Sequence, residues 1–325
     1  VDRIIHREGR KIREVSSNMR EFNISLPATS ANLGPAFDAA ALAMDLFLEV
    51  RAVKAKKFSI VAIGRDSEIC SRLEGHLILT TYKEVLAAER KPAAPLALTI
   101  HNNFPVGKGF GSSAAARLAG IAMAVHFGRL RWNSSRIIAE ASEREHHPDN
   151  AAACWMGGVT VARLCGDTEA QVARFVPKGK WPLLLAIPDE DLPTEKARAV
   201  LPQEYSRADT VANIQNSMLL LAALFQGDPK LLACSLDDRI HQPYRAELCP
   251  LLPALQEFPE NDGVLGAALS GAGPSVLMFL DPKARLEKTK IRVENRLRDR
   301  GLKAELLVTS IAKRGGEASF LRRSH

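Results

Sequence analysis

The residues of this 325-residue chain best suited to hold an anion lie between Phe104 and Ala116, F-P-V-G-K-G-F-G-S-S-A-A-A. Glycines stand at every second position, Gly107, Gly109 and Gly111, and two hydroxyls follow at once, Ser112 and Ser113. Glycine lets backbone N–H groups approach a ligand that a Cβ would exclude. A serine at a helix start leaves unpaired N–H groups aimed outward beside its own hydroxyl, and the helix dipole adds partial positive charge there. The run of small residues from Ala114 to Ala124 supplies such a helix. The stretch therefore predicts a phosphate cradle made of Pro105, Val106, Gly107, Lys108, Gly109, Phe110, Gly111, Ser112, Ser113, Ala114 and Ala115. It is not a Walker A loop, because Asn102 holds the place of the first glycine and Gly109 follows Lys108. It fits a dinucleotide fingerprint only loosely, since Arg131 stands near the position that should be acidic. Alone, a tight turn before a buried helix accounts for it equally well.

Two further stretches change that balance. Pro27 to Asp38 reads P-A-T-S-A-N-L-G-P-A-F-D, and Leu269 to Ser275 reads L-S-G-A-G-P-S. With the glycine loop between them, the three resemble the ordered motifs of the GHMP small-molecule kinases, and the first is most similar to that of the homoserine kinase branch. Two more stretches resemble that branch: Thr194 to Pro202, T-E-K-A-R-A-V-L-P, and His241 to Arg245, H-Q-P-Y-R. The resemblance runs from about Ile24 to Leu307.

The resemblance implies an α+β, two-domain GHMP kinase fold, with an N-terminal half like ribosomal protein S5 domain 2 and a ferredoxin-like C-terminal half. It implies ATP- and Mg²⁺-dependent phosphorylation of the L-homoserine hydroxyl on the way to threonine. Phosphoryl transfer needs a phosphate cradle, a divalent cation and a nucleophile held in line. A hydroxyl and a carboxylate suit Mg²⁺. Ser113, or Ser112, offers the hydroxyl, while Glu143 and Glu145 both qualify as the carboxylate by type. The family pattern E-G-H-P-D-N points to Glu145, with His146 where a glycine is usual. On the substrate side it implies His147 and Asn150, with Asp149 as the nearest carboxylate, either a base or a loop anchor. Arg198 and Arg245 suit a substrate carboxylate, because the guanidinium fork matches one bidentately. Asp38 suits the ammonium, and Asn32, Thr194 and Gly271 complete the expected substrate set. Ala36 stands where the family usually has a glycine, and this predicts a backbone cost there. Other readings are a GHMP kinase for mevalonate-type or sugar alcohols and a GHMP-fold protein that binds without transferring phosphate.

The elements that must position these groups follow from periodicity. Alternation predicts a strand from Phe22 ending at Pro27, then a loop over Ala28–Pro35. Leu96 to His101 reads as the strand feeding the cradle. Helices are predicted from Ser134 to about Glu143, capped by Ser134 or Ser135, from Thr210 to Phe225, and from Pro229 to about His241. Trp181 to Ile187 reads as a buried strand. The division expected is an extension over 1–20, an ATP-binding domain over 21–176 and a C-terminal domain over 177–325.

Composition excludes several classes. The net charge of +7 is concentrated at the ends, with six Lys/Arg against three Asp/Glu in residues 1–20 and thirteen against six in 281–325, which leaves the body slightly acidic. That distribution argues against a nucleic-acid surface across the fold. The longest apolar run, Met218 to Phe225, is too short for a membrane span. Five cysteines without a C-x-x-C pair suggest neither a disulfide framework nor a zinc site, and so a reducing cytoplasm. The resemblance adds a homodimer.

Overall fold

The protein is described by a computed structural model over residues 21–258 and 263–321, so the basic extension of residues 1–20 lies outside the described residues. Phe22, Ile24 and Leu26 point into the core while Asn23 and Ser25 face outward, and the chain extends as β1 (Glu21–Ala31). The strand does not stop at Pro27. A bulge between Pro27 and Ala28 absorbs the missing N–H, and Ala28–Ala31 then continue the pairing against Ala41–Met44. The expected loop over Ala28–Pro35 therefore shrinks to the turn after Ala31.

β2 (Ala40–Lys54) is the spine of the first sheet. Along one side it pairs with β1; along the other its C-terminal half pairs with β4 (Leu96–Asn102) and its N-terminal end with β5 (Val159–Leu164). β3 (Ser59–Gly64) adds in parallel to β4, and β6 (Ala170–Phe175) closes the far edge against β5. Between these strands lie α1 (Ser67–Cys70), α2 (Leu77–Ala88), α3 (Ser112–Gly128), α4 (Ser134–Glu145) and α5 (Asp149–Met156). α3 is buried along most of its length, which its alanines allow, and it crosses α2 so closely that a Cβ on Gly120 would lie 2.6 Å from the Ile78 carbonyl oxygen. α4 begins one residue earlier than its serines suggest: Asn133 is the cap, its side chain accepting from the Arg136 N–H, which frees both serine hydroxyls for tertiary bonds.

The second sheet orders its strands β10-β7-β9-β8, all antiparallel: β7 (Pro182–Ile187), β8 (Val264–Leu269), β9 (Val276–Leu280) and β10 (Glu305–Ser310). Its chain order, strand, helices, two strands, helix, strand, is that of a ferredoxin-like half. Its helices are α6 (Thr194–Ala199), α7 (Arg207–Gln226), α8 (Pro229–Ser235), α9 (Gln242–Arg245), α10 (Leu251–Gln256) and α11 (Leu286–Asp299), and α12 (Gly316–Leu321) returns to the first sheet. The single helix expected from Pro229 to His241 breaks after Ser235. Asp238 accepts from the backbone N–H groups of Ile240, His241 and Gln242, and so turns the chain into α9. Strand–helix mixing in two separate sheets makes the fold α+β, as the resemblance implies. Among the described residues, no helix is long and apolar enough to cross a membrane.

Candidate active site

The glycine loop leaves β4 and enters α3 with Gly107, Gly109 and Gly111 at φ 75°, 84° and 66°. Two of the three glycines answer to the protein rather than to a ligand. A Cβ on Gly109 would lie 2.2 Å from the Ser270 carbonyl oxygen, and one on Gly111 would lie 1.9 Å from Thr29 Oγ1. Gly107 alone faces open space. The loop is pinned from behind by Phe110, which stacks on Phe104 in the core and whose carbonyl accepts from Thr29 N. Asp66 holds its front by accepting from Val106 N.

Three motifs far apart in sequence meet at this loop. Ser270 Oγ donates to the Gly109 carbonyl at 2.6 Å, Asn32 Nδ2 donates to the Gly271 carbonyl at 2.8 Å, and Gly271 N donates to Ala31 O. Between the two sheets this leaves a cavity of about 320 Å³. Gly107, Gly109, Gly111, Ser112, Ser113, Glu145, His147 and Asn150 form one wall; Thr194, Arg198, Arg245 and Gly271 form the other. A more apolar cavity of about 430 Å³ adjoins it, sharing Gly107, Ser112 and Ser113, with Leu48, Ile78, Ile100, Phe104 and Val106 in its lining.

On the first wall, Ser113 Oγ donates to Glu145 Oε1 at 2.5 Å, and Arg117 Nε reaches the same oxygen. Glu143 is exposed, so of the two glutamates only Glu145 is brought to the cavity. His146 caps α4 at φ 65°, the left-handed region, which is the physical reason a glycine suits that place. Asp149 is buried and turned away from the cavity. Its Oδ1 accepts from His147 Nδ1 and from Asn150 N, both at 2.6 Å. Burial pushes the His147 pKa down, but the hydrogen bond and charge of Asp149, with Asp38 nearby, outweigh it and leave it raised. Asn150 Oδ1 accepts from Thr29 Oγ1 and its Nδ2 donates to Asp149 Oδ1 at 3.3 Å, while the residue lines the cavity.

On the second wall, Thr194 and Arg198 share one face of α6 at i, i+4. Arg198 forks onto Asp38 at 2.7 and 3.0 Å. Arg245 is buried, its Nε donating to Ala197 O and its Nη1 to His241 Nδ1. Both guanidiniums lie about 5.4 Å from the Phe37 ring centroid, at 5.5 and 5.3 Å, and His241 stacks on the same ring. Burial, and then the neighbouring charge of Arg198, push the Arg245 pKa down to about 10, so it is still a cation at neutral pH. His241 Nε2 donates to the Gly34 carbonyl while Nδ1 accepts from Arg245, which requires the neutral ring; burial pushes its pKa down to about 4.

Several predicted residues are placed elsewhere. Lys108 leaves the cradle and bridges to the other half, its Nζ 2.6 Å from both Asp191 Oδ1 and Asp189 O. Pro105, Phe110, Ala114 and Ala115 pack behind the loop, and Val106 lines the apolar cavity instead. Asn32 commits both ends of its amide, since its Oδ1 accepts from Asp38 N, so it builds the cleft rather than facing it. Asp38 holds Arg198 from outside the cavity lining. Ala36 carries no strain: the left-handed residues of that turn are Asn32, Leu33, Gly34 and Asp38. Sequence reasoning missed Thr29, Phe37, Arg117, Asp191 and His241. Thr29 and Phe37 lie within the first family-like motif and His241 heads the H-Q-P-Y-R stretch, while Arg117 stands four residues after Ser113 on one helix face; Asp191 left no signal.

An open glycine loop at a helix start thus faces two arginines across one cleft, an arrangement chemically able to hold a phosphate on one side and a carboxylate on the other. The family models for the GHMP kinases N-terminal domain and the GHMP kinases C-terminal domain match residues 76–158 and 220–299. The chain is 41% identical to the homoserine kinase of Solibacter usitatus over 93% of this chain and 99% of that protein. It is 38% identical to the homoserine kinase of Deinococcus radiodurans over 83% and 87%. In fold it is similar to the crystal structure of homoserine kinase from Cytophaga hutchinsonii, at TM-score 0.76 and 23% identity over 91% of this chain and 96% of that one. It is also similar to L. major mevalonate kinase in complex with R-mevalonate, at TM-score 0.68 and 13% identity over 89% and 95%. The chain belongs to the homoserine kinase family of GHMP kinases.

Proposed function

We infer that this enzyme transfers the γ-phosphoryl group of ATP to the side-chain hydroxyl of L-homoserine, producing O-phospho-L-homoserine for threonine synthesis. One observation carries the reading: the phosphate loop and the arginine pair Arg198–Arg245 face each other across a single small cavity. The triphosphate lies along Gly107–Ser113 at the start of α3. The adenine base fits the adjoining apolar cavity, which shares that loop.

Ser113 and Glu145 are the residues that would hold Mg²⁺. The donor set is hard oxygen, and the Ser113–Glu145 hydrogen bond shows both oxygens converging on one point of the wall. Bound there, the ion supplies charge neutralisation for the phosphates. Arg117 orients Glu145 through its Nε contact to Oε1.

Homoserine carries a carboxylate and an ammonium. Its carboxylate meets Arg198 and Arg245, and Asp38 balances the charge of that wall. The hydroxyl is then left at the His147–Asn150 side, facing the loop. Asp149 acts through both neighbours: it orients the imidazole and the amide from its buried place and does not touch the acceptor. In this reading no carboxylate among the described residues is assigned to the hydroxyl as a base, and the rate comes from alignment and preorganised charge.

ADP release with ATP and Mg²⁺, tested against L-homoserine, mevalonate, galactose and L-serine, checks the assignment. Release with homoserine alone is expected. Release with another alcohol keeps the kinase and removes the substrate argument; no turnover with retained ATP binding favours a binding protein.

A further inference from the structure

Thr29 is wholly buried where the glycine loop and the start of α5 meet. Its backbone N–H donates to the Phe110 carbonyl of the loop at 2.9 Å, and its hydroxyl donates to Asn150 Oδ1 at 2.6 Å. The loop leaves room for that hydroxyl, since a Cβ at Gly111 would fall 1.9 Å from Thr29 Oγ1. Thr29 therefore holds the phosphate side of the cleft through its backbone and the acceptor side through its side chain. The bulge after Pro27 carries β1 this far, and two residues on Ala31 O accepts from Gly271 N.

Packing alone does not call for a hydroxyl here. Strands favour β-branched residues, and valine has nearly the shape of threonine. A buried hydroxyl costs free energy unless it is bonded. Thr29 meets that cost with Asn150 as the partner of its Oγ1.

The bond decides how Asn150 is held. A side-chain amide fits its surroundings either way round until hydrogen bonds distinguish its oxygen from its nitrogen. Here the Asp149 carboxylate takes one hydrogen of Asn150 Nδ2, at 3.3 Å, and the Thr29 hydroxyl takes the oxygen, at 2.6 Å. The shorter contact is the firmer hold. Asn150 lines the cavity, and its second Nδ2 hydrogen has no partner among the described residues.

We propose that Thr29 is a positioning residue for phosphoryl transfer: it fixes the Asn150 amide with the nitrogen end available to the acceptor oxygen, and it ties that amide to the phosphate loop. The proposal rests on the homoserine kinase reading of this cleft. Without the hydroxyl, Asn150 Oδ1 loses its donor and the amide is free to turn over. Its oxygen would then meet an acceptor oxygen that needs a hydrogen-bond donor. Arg198, Arg245 and the glycine loop still bind both substrates, so the loss falls on kcat.

Thr29→Val removes the donor at nearly constant shape. With ATP and homoserine, kcat is expected to fall about 10- to 100-fold, as the loss of one buried hydrogen bond gives, while both KM values stay within about twofold. T29S keeps the hydroxyl and is expected to recover most of the rate. N150A removes the group through which Thr29 acts, so adding T29V to it is expected to cause no further loss. T29A set against T29S repeats the comparison without a second methyl group facing the loop, and thermal melts of every variant separate loss of rate from loss of fold. A further readout needs no turnover: the proton–nitrogen NMR pair of the Asn150 side chain, assigned by its loss in N150A, is expected to shift in T29V and T29A and to stay in place in T29S. Unchanged kcat in T29V and T29A, additive losses in the double variant, a loss carried by KM instead of kcat, or an unmoved amide signal overturns the proposal. Wild-type protein that does not turn over homoserine overturns the substrate reading instead, and the amide signal then still tests the hold of Thr29 on Asn150.

Discussion

Replacing Arg198 by alanine separates the substrate role of this residue from its structural one. Its fork onto Asp38 is about one-third exposed on both sides, at 35% and 31%. A pair so placed contributes less than about 1 kcal/mol to stability after solvent screening, so R198A should leave the urea midpoint almost unchanged. Homoserine binding is another matter. A charge-assisted hydrogen bond is worth about 1.5–3 kcal/mol, and Arg198 offers two in fork geometry. With Arg245 still on the wall, a net loss of about 3 kcal/mol is expected, or about 100-fold in kcat/KM for homoserine. R198K keeps the charge without the fork and should lose about tenfold. Initial rates of ADP formation, with homoserine varied at saturating ATP and then the reverse, distinguish the possibilities. The KM for homoserine should rise while that for ATP stays within about twofold. Unchanged kcat/KM for homoserine, or an equal loss toward both substrates, would refute the carboxylate clamp; a collapsed midpoint would show that the Asp38 pair is chiefly structural.

Gly109→Ala meets both φ +84° and the Ser270 carbonyl at 2.2 Å and should lower stability by about 3 kcal/mol, whereas Gly107→Ala, with open space around it, should cost about 1 kcal/mol and act mainly on the KM for ATP; thermal melts and ATP titrations compare the two. Glu145→Gln should weaken Mg²⁺ dependence about tenfold or more, read from activity against Mg²⁺ concentration and from direct metal binding, with the fold intact. Because burial holds the His241 pKa near 4, the unfolded chain binds a proton that the folded protein refuses, so stability should fall as pH drops from about 6.5 toward 4, by up to about 3 kcal/mol. Urea unfolding across that range checks it, with H241Q expected to show a flatter profile. The raised pKa of His147 works in the opposite sense: its contribution is complete below the ordinary histidine value and is lost as pH rises through the raised one.

How far the sequence reached depends on which residues one looks at. The glycine spacing, the serines and the small-residue helix are local facts, and they were legible because a glycine loop entering a helix is made by consecutive backbone. Thr194 and Arg198 were legible only through the family resemblance of the T-E-K-A-R-A-V-L-P stretch; that they share one helix face came from the structure. The fold class followed from the family resemblance that the ordered motifs carry. Tertiary structure decided everything that required two distant segments. Glu145 rather than Glu143 faces the cavity because α4 ends in a left-handed turn at His146. Lys108 crosses the cleft to Asp191, and Asn32 and Asp38 serve the walls, because their partners lie 80 or more positions away in the chain. Gly109 and Gly111 looked like concessions to a phosphate, yet Ser270 and Thr29 occupy the space a Cβ would need. A single chain read in order records which residues can do chemistry; which of them do it is set by the carbonyls, carboxylates and rings that the fold brings against them.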